Sequence, residues 1–132
     1  LYRTYHGATL SVPAQKASSW AWSNDAYVEG NRKNYDEKYT VALKQIDPKF
    51  NVTRPSGGFY FWIKLPVDDL IFTKKLFQEH NVTVLPGSFL CVDNKGQNPG
   101  SGFIRVAIVH DIETVKKAAF AINDVLNHFS KN

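Results

Sequence analysis

Methionine is absent from this chain of 132 residues, and cysteine occurs only once. The single cysteine, Cys91, excludes an internal disulfide framework and fits a reducing, cytoplasmic setting. No apolar run approaches the roughly 20 residues that a membrane-spanning helix needs, so no membrane partner is expected. Arg3, Thr4, Tyr5 and His6 interrupt any apolar region near the start, so no secretory leader is expected there. The missing methionine and the opening on Leu1 point to a processed chain or, as favoured here, a piece of a longer protein. No metal is expected either, because His6, His80, His110 and His128 show no zinc-type spacing with one another or with Cys91. Sixteen basic and twelve acidic residues leave a net charge of only +4. The lysines are scattered apart from Lys74-Lys75 and Lys116-Lys117, which argues against a nucleic-acid stripe.

What is present is a globular composition, 43% hydrophobic and 21% charged, at a length that suits one domain with a real core. Ser11 and Pro13 predict the start of a helix through Trp22, and Ser23-Asn24-Asp25 a stop and a new cap. Val28, Tyr35, Tyr39, Ala42, Leu43 and Ile46 fall near helical spacing and predict a second helix from about Ala26 to Ile46, weakened but not ended by Gly30. Phe50–Thr53 reads as a short strand, and Phe59–Leu65 as a strand stopped by Pro66. Asp68 predicts the cap of a helix holding Leu70, Ile71, Leu76 and Phe77. Val82–Leu85 and Gly102–Val109 read as further strands. The last helix has the clearest period, with Ile112, Val115, Ala119, Ile122, Leu126 and Phe129 at steps of three and four. This order predicts an α/β sandwich (α+β): a small, mostly antiparallel sheet of about three to four strands with helices packed on it.

Two strands carry the functional interest. In the first, Phe59, Phe61 and Ile63 share one face while Tyr60 and Trp62 share the other, so both faces need cover. In the last, Ile104, Val106 and Ile108 share one face, and Phe103, Arg105 and Ala107 the other. A guanidinium cannot shed its charge and is costly to bury without an anion. Arg105 therefore either pairs with a carboxylate inside the protein or waits in a cleft for one carried by a ligand. The aromatic run with Lys64 nearby also permits an RNA-binding sheet, although that design keeps its aromatics on one exposed face. Other features have plainer readings. Asp68-Asp69 is better explained by a helix cap than by a catalytic pair, and Ser88 lies in a turn that lacks the second glycine of a nucleophile elbow. Asn98–Gly102 leads into a strand rather than a helix and makes a poor phosphate cradle. Asn51-Val52-Thr53 and Asn81-Val82-Thr83 match the glycosylation pattern, a match that is common by chance.

Three segments, Gly57–Pro66, Asn81–Phe89 and Asn98–Ala107, followed by the terminal helix, resemble the C-terminal part of fold-type I, pyridoxal-phosphate-dependent aminotransferases of the class I/II family. The opening Tyr2–Ser11, with Pro13-Ala14-Gln15, is similar to the branch that transaminates N-succinyl-diaminopimelate in lysine biosynthesis. The resemblance implies that residues 1–24 are the tail of a large cofactor-binding domain with its connecting helix, and residues 25–132 the mobile small domain. It further implies that Arg105 forms a bidentate salt bridge with the substrate α-carboxylate, and that Arg3, Tyr5 and His6 lie near the active-site entrance. The Schiff-base lysine, the serine and arginine that hold the cofactor phosphate, the aspartate at the pyridine nitrogen and the stacked aromatic precede the small domain in that family. None of Lys16, Lys33, Lys38, Lys44, Lys49 or Lys64 sits in such a motif. On this resemblance the chain contains no catalytic and no cofactor-binding residue and is inactive alone. The parent enzyme would transfer amino groups between amino acids and 2-oxo acids, with glutamate and 2-oxoglutarate as one pair, as a homodimer.

Overall fold

Alternation and helical period shape the molecule much as expected. The computed structural model describes residues 10–130, which divide into two compact units at the boundary between Asn34 and Tyr35. The first unit contains α1 (Val12–Trp22) and the start of α2 (Asp25–Leu43). Pro13 in the first turn suits α1, where an N–H has no intrahelical partner. Ser11 makes no side-chain cap; its carbonyl oxygen accepts from the Gln15 N–H at 3.0 Å instead. Asn24 caps α2 by accepting the Tyr27 N–H at 3.4 Å, and α2 runs through Gly30 without a break.

The second unit is built on three antiparallel strands, β1 (Tyr60–Lys64), β2 (Leu85–Pro86) and β3 (Phe103–Ala107), in the order β1-β3-β2. Trp62 faces Arg105 across one ladder, and Leu85 faces Arg105 across the other. Helix α3 (Asp69–His80) starts where the Asp68 carboxylate accepts the Leu70 and Ile71 N–H groups at 2.9 and 3.1 Å. Helix α4 (Ile112–Ser130) buries Val115, Ala119, Ala121, Ile122, Val125 and Leu126. These pack with Tyr39 and Ala42 of α2, Phe72 and Leu76 of α3, and Phe61, Ile63, Ile104 and Val106 of the strands in one core. Each fully buried Leu, Ile or Phe side chain there contributes about 1.5–3 kcal/mol over its exposed state.

Beyond the missing Ser11 cap, three expectations change. Phe50–Thr53 is not a strand: Asp47 caps a 3₁₀ turn over Pro48–Phe50, and Asn51 ends it with φ 50°. A left-handed residue there breaks the extended run. Asn81 ends α3 in the same way, with φ 53°, so both asparagines of the glycosylation-like triplets serve as helix stops. Of Val82–Leu85 only Leu85 is in a strand, the two-residue β2 that continues into Pro86. Phe59 precedes β1 and is 41% exposed, so it does not share the buried face of Phe61 and Ile63. The turn at Gly58, with φ 91°, delays the strand until Tyr60.

Candidate functional site

Among the described residues, the core covers one face of the sheet only. On the other face β1 presents Tyr60, Trp62 and Lys64, all exposed, while β3 presents the half-buried Phe103 and Arg105. The Arg105 guanidinium carbon lies 4.6 Å from the Tyr60 ring centre and 5.7 Å from that of Phe59. A flat cation against an aromatic face is attracted by the ring quadrupole, and a ring beneath it restricts how the fork turns. Phe59 and Tyr60 meet edge to face with centres 5.8 Å apart. Beside them Trp62 stacks on Phe103 at 5.6 Å, with ring planes 14° apart. A cleft of about 380 Å³ adjoins this pair and is lined also by Lys64, Lys49 and Thr53.

Among the described residues no carboxylate pairs with Arg105. Its Nε is buried and has no hydrogen-bond partner among the described residues. A buried N–H of a permanent cation is costly to leave unpaired, and a carboxylate oxygen is the acceptor that would satisfy it best. The geometry therefore offers a half-buried, aromatic-backed guanidinium whose charge no described carboxylate meets.

Arg3, Tyr5 and His6, the other candidate binding residues, lie outside the described residues. No group of three or more His, Cys, Asp or Glu able to hold a metal occurs among the described residues. Nor is any described helix long and apolar enough to cross a membrane. Every described lysine is at least partly exposed; half-buried Lys38, for example, donates to the Val109 carbonyl at 3.3 Å.

One buried residue beside the site has no signal of its own in the sequence. Asp68 caps α3 as expected, but its neighbour Asp69 is only 1% exposed. Asp69 accepts the Ser88 N–H at 2.9 Å and the Gly102 N–H at 3.2 Å. Burial pushes its carboxyl upward, but hydrogen bonds from Ser88 and Gly102 outweigh that and hold it below the ordinary carboxylate value. The signal was a pair of aspartates at one helix start, since only one of them can be the cap.

The model of the family described as aminotransferase class I and II matches residues 2–122. The chain belongs to the class I and II aminotransferases. It is 32% identical over 96 residues to an aspartate aminotransferase of Thermotoga maritima, an alignment covering 73% of this chain and 22% of that protein. An aminotransferase structure from Neisseria meningitidis is 42% identical, with a TM-score of 0.84, over 95% of this chain and 32% of that one. A probable N-succinyldiaminopimelate aminotransferase from Thermus thermophilus is 30% identical, with a TM-score of 0.61, over 79% of this chain and 27% of its own. The chain thus spans between about a fifth and a third of the curated relatives it matches. Family membership and the small antiparallel sheet agree with the expected small-domain fold, and they do not favour an RNA-binding sheet.

Proposed function

We propose that this chain supplies the substrate-carboxylate-reading part of a pyridoxal-phosphate-dependent aminotransferase, with Arg105 as the residue that grips the α-carboxylate. The observation that carries the reading is the Arg105 fork itself, backed by Tyr60, with a buried Nε that no described residue satisfies. Two parallel bonds from one guanidinium fix both the position and the tilt of a carboxylate. That orientation is catalytic work, because it aligns the substrate bond to be broken.

Pyridoxal phosphate supplies the electron sink of amino transfer. No described lysine is buried, which supports the reading that the cofactor's covalent site lies elsewhere, since such a lysine is desolvated in a pocket. In this reading the lysine belongs to a large domain whose tail is residues 1–24, residues 25–132 form the small domain, and the 132-residue chain alone is inactive. Arg3, Tyr5 and His6 are proposed to stand at the entrance and read the far end of the substrate. The likeness to the Thermus protein supports succinyl-diaminopimelate as the amino donor, with glutamate and 2-oxoglutarate as the other pair. A cytoplasmic homodimer is the proposed setting for the complete enzyme.

The test is a titration of the ¹⁵N-labelled chain and its Arg105 variants with 2-oxoglutarate, following backbone amides in each and the Arg105 Nε–Hε resonance in the unaltered chain. Saturable shifts are expected, with affinity roughly tenfold weaker in Arg105→Lys and roughly a hundredfold weaker in Arg105→Ala. Equal affinity in all three proteins overturns the assignment of Arg105. In parallel, incubation with pyridoxal phosphate, borohydride reduction and peptide mapping should give scattered, substoichiometric lysine labelling. A single fully labelled lysine would show that the chain carries its own cofactor site.

A further inference from the structure

Asp69 is the only buried charged residue among those described, and nothing in the proposed reaction uses it. Its surroundings explain why it is there. The β2–β3 ladder is two residues long, with Leu85 opposite Arg105 and Pro86 opposite Ile104. Pro86 has no N–H to give, and the chain turns into a 3₁₀ segment at Gly87. Counting the register onward brings Ser88 level with Gly102. These are the two residues whose N–H groups the Asp69 carboxylate accepts, one on each oxygen. A side chain from α3 thus closes the strand pair where its own hydrogen bonds stop.

The short ladder matters because of the direction in which Arg105 points its backbone. Toward β1, the bonds from Leu65 N–H to Gly102 O and from Ile108 N–H to Phe59 O mark every second pair as hydrogen-bonded. Arg105 and Trp62 fall on the alternate, unbonded pairs, so the N–H and C=O of Arg105 turn toward β2. The backbone of the arginine is therefore held from the side that has only two residues of strand. Around the clamp the chains cross so closely that Gly87 and Gly100 each lack room for a Cβ against the other's carbonyl oxygen. Asn98 adds a bond from its amide to the Ser88 carbonyl at 2.9 Å.

We propose that Asp69 is a positioning residue for Arg105: by bridging Ser88 and Gly102 it fixes β2 against β3 and so sets the height and direction of the guanidinium fork. The inference rests on the reading of Arg105 as the carboxylate-binding residue. The depressed carboxyl supports it, since an ionised group offers both oxygens as acceptors. An amide in its place offers one acceptor and turns an NH₂ toward the other N–H.

The experiment compares the 132-residue chain, Asp69→Asn and Arg105→Ala by 2-oxoglutarate titration and ¹⁵N–¹H spectra. Asp69→Asn is expected to bind 2-oxoglutarate roughly tenfold more weakly, because a loosened β2–β3 pair leaves Arg105 in its binding orientation only part of the time. Its Arg105 Nε–Hε resonance should broaden or shift while core amides such as Phe72 stay in place, a signature that general loosening does not give. If Arg105→Ala weakens binding and Asp69→Asn leaves both affinity and the Arg105 resonance unchanged, the positioning role is wrong and the site stands. If Arg105→Ala leaves binding intact, the site reading fails, and the positioning role falls with it. Should Asp69→Asn not fold, amide exchange in the unaltered chain decides. Ser88, Gly102 and Arg105 opening as one unit supports the clamp, and Arg105 staying protected after the other two have exchanged overturns it.

Discussion

The two faces of the sheet in the second unit are made by alternate residues of the same strands, yet they follow different chemistry. Phe61, Ile63, Ile104 and Val106 are at most 8% exposed and join helices α2, α3 and α4 in the core. Tyr60 and Trp62, one residue away, remain 39% and 41% exposed. Hydrophobicity does not separate the faces, since the open one is rich in aromatic side chains. Its distinguishing mark is a permanent cation at its centre. An arginine cannot share a dry core without an anion, so the face that carries Arg105 has to meet water or a charged ligand. Rings then serve a second purpose there, as a flat support that narrows the orientations of the guanidinium.

Substitutions can break or sharpen this contrast. The largest effect belongs to the covered face: Ile104→Ala should cost about 2–5 kcal/mol of stability, read by denaturant unfolding. A loss much smaller than that would mean the covered face is not packed as described. Gly87→Ala tests the boundary, because a Cβ there meets the Gly100 carbonyl oxygen, the Phe103 carbonyl oxygen at 2.8 Å and the Trp62 ring at 3.0 Å. Two of these are backbone atoms that cannot swing aside, so a cost of about 1–3 kcal/mol in thermal or denaturant unfolding is expected. A neutral result would deny the close crossing of β2 and β3. The smallest effect belongs to the open face, where Tyr60→Leu removes the ring beside Arg105. Affinity for 2-oxoglutarate should fall by a few-fold, matching about 0.5–1 kcal/mol for an exposed cation–π contact, with folding stability little changed. If stability fell instead and affinity did not, Tyr60 would be a core residue and the contrast between faces would fail.

Much of the fold could be read along the chain because its causes are local. The period of Ile112–Phe129, the alternation around Arg105 and the cap at Asp68 each involve residues within a few positions of one another. The failures share a different origin. Phe50–Thr53 has strand-like residues, but Asn51 takes a left-handed conformation there and stops the run. Phe59 fits the alternation of β1, but the turn at Gly58 removes it from the strand. The role of Asp69 is not legible beside the cap at Asp68, because its partners, Ser88 and Gly102, lie 19 and 33 residues away.

By itself the sequence determined which side chains alternate, where helices start, and that one arginine in an apolar strand needs an anion. These follow from backbone periodicity and from a charge that cannot be given up. Only the tertiary structure decided which face the helices cover, that no described carboxylate reaches Arg105, and that Asp69 holds its strand. Those outcomes depend on loops meeting across long separations, and a linear pattern does not encode such meetings one residue at a time.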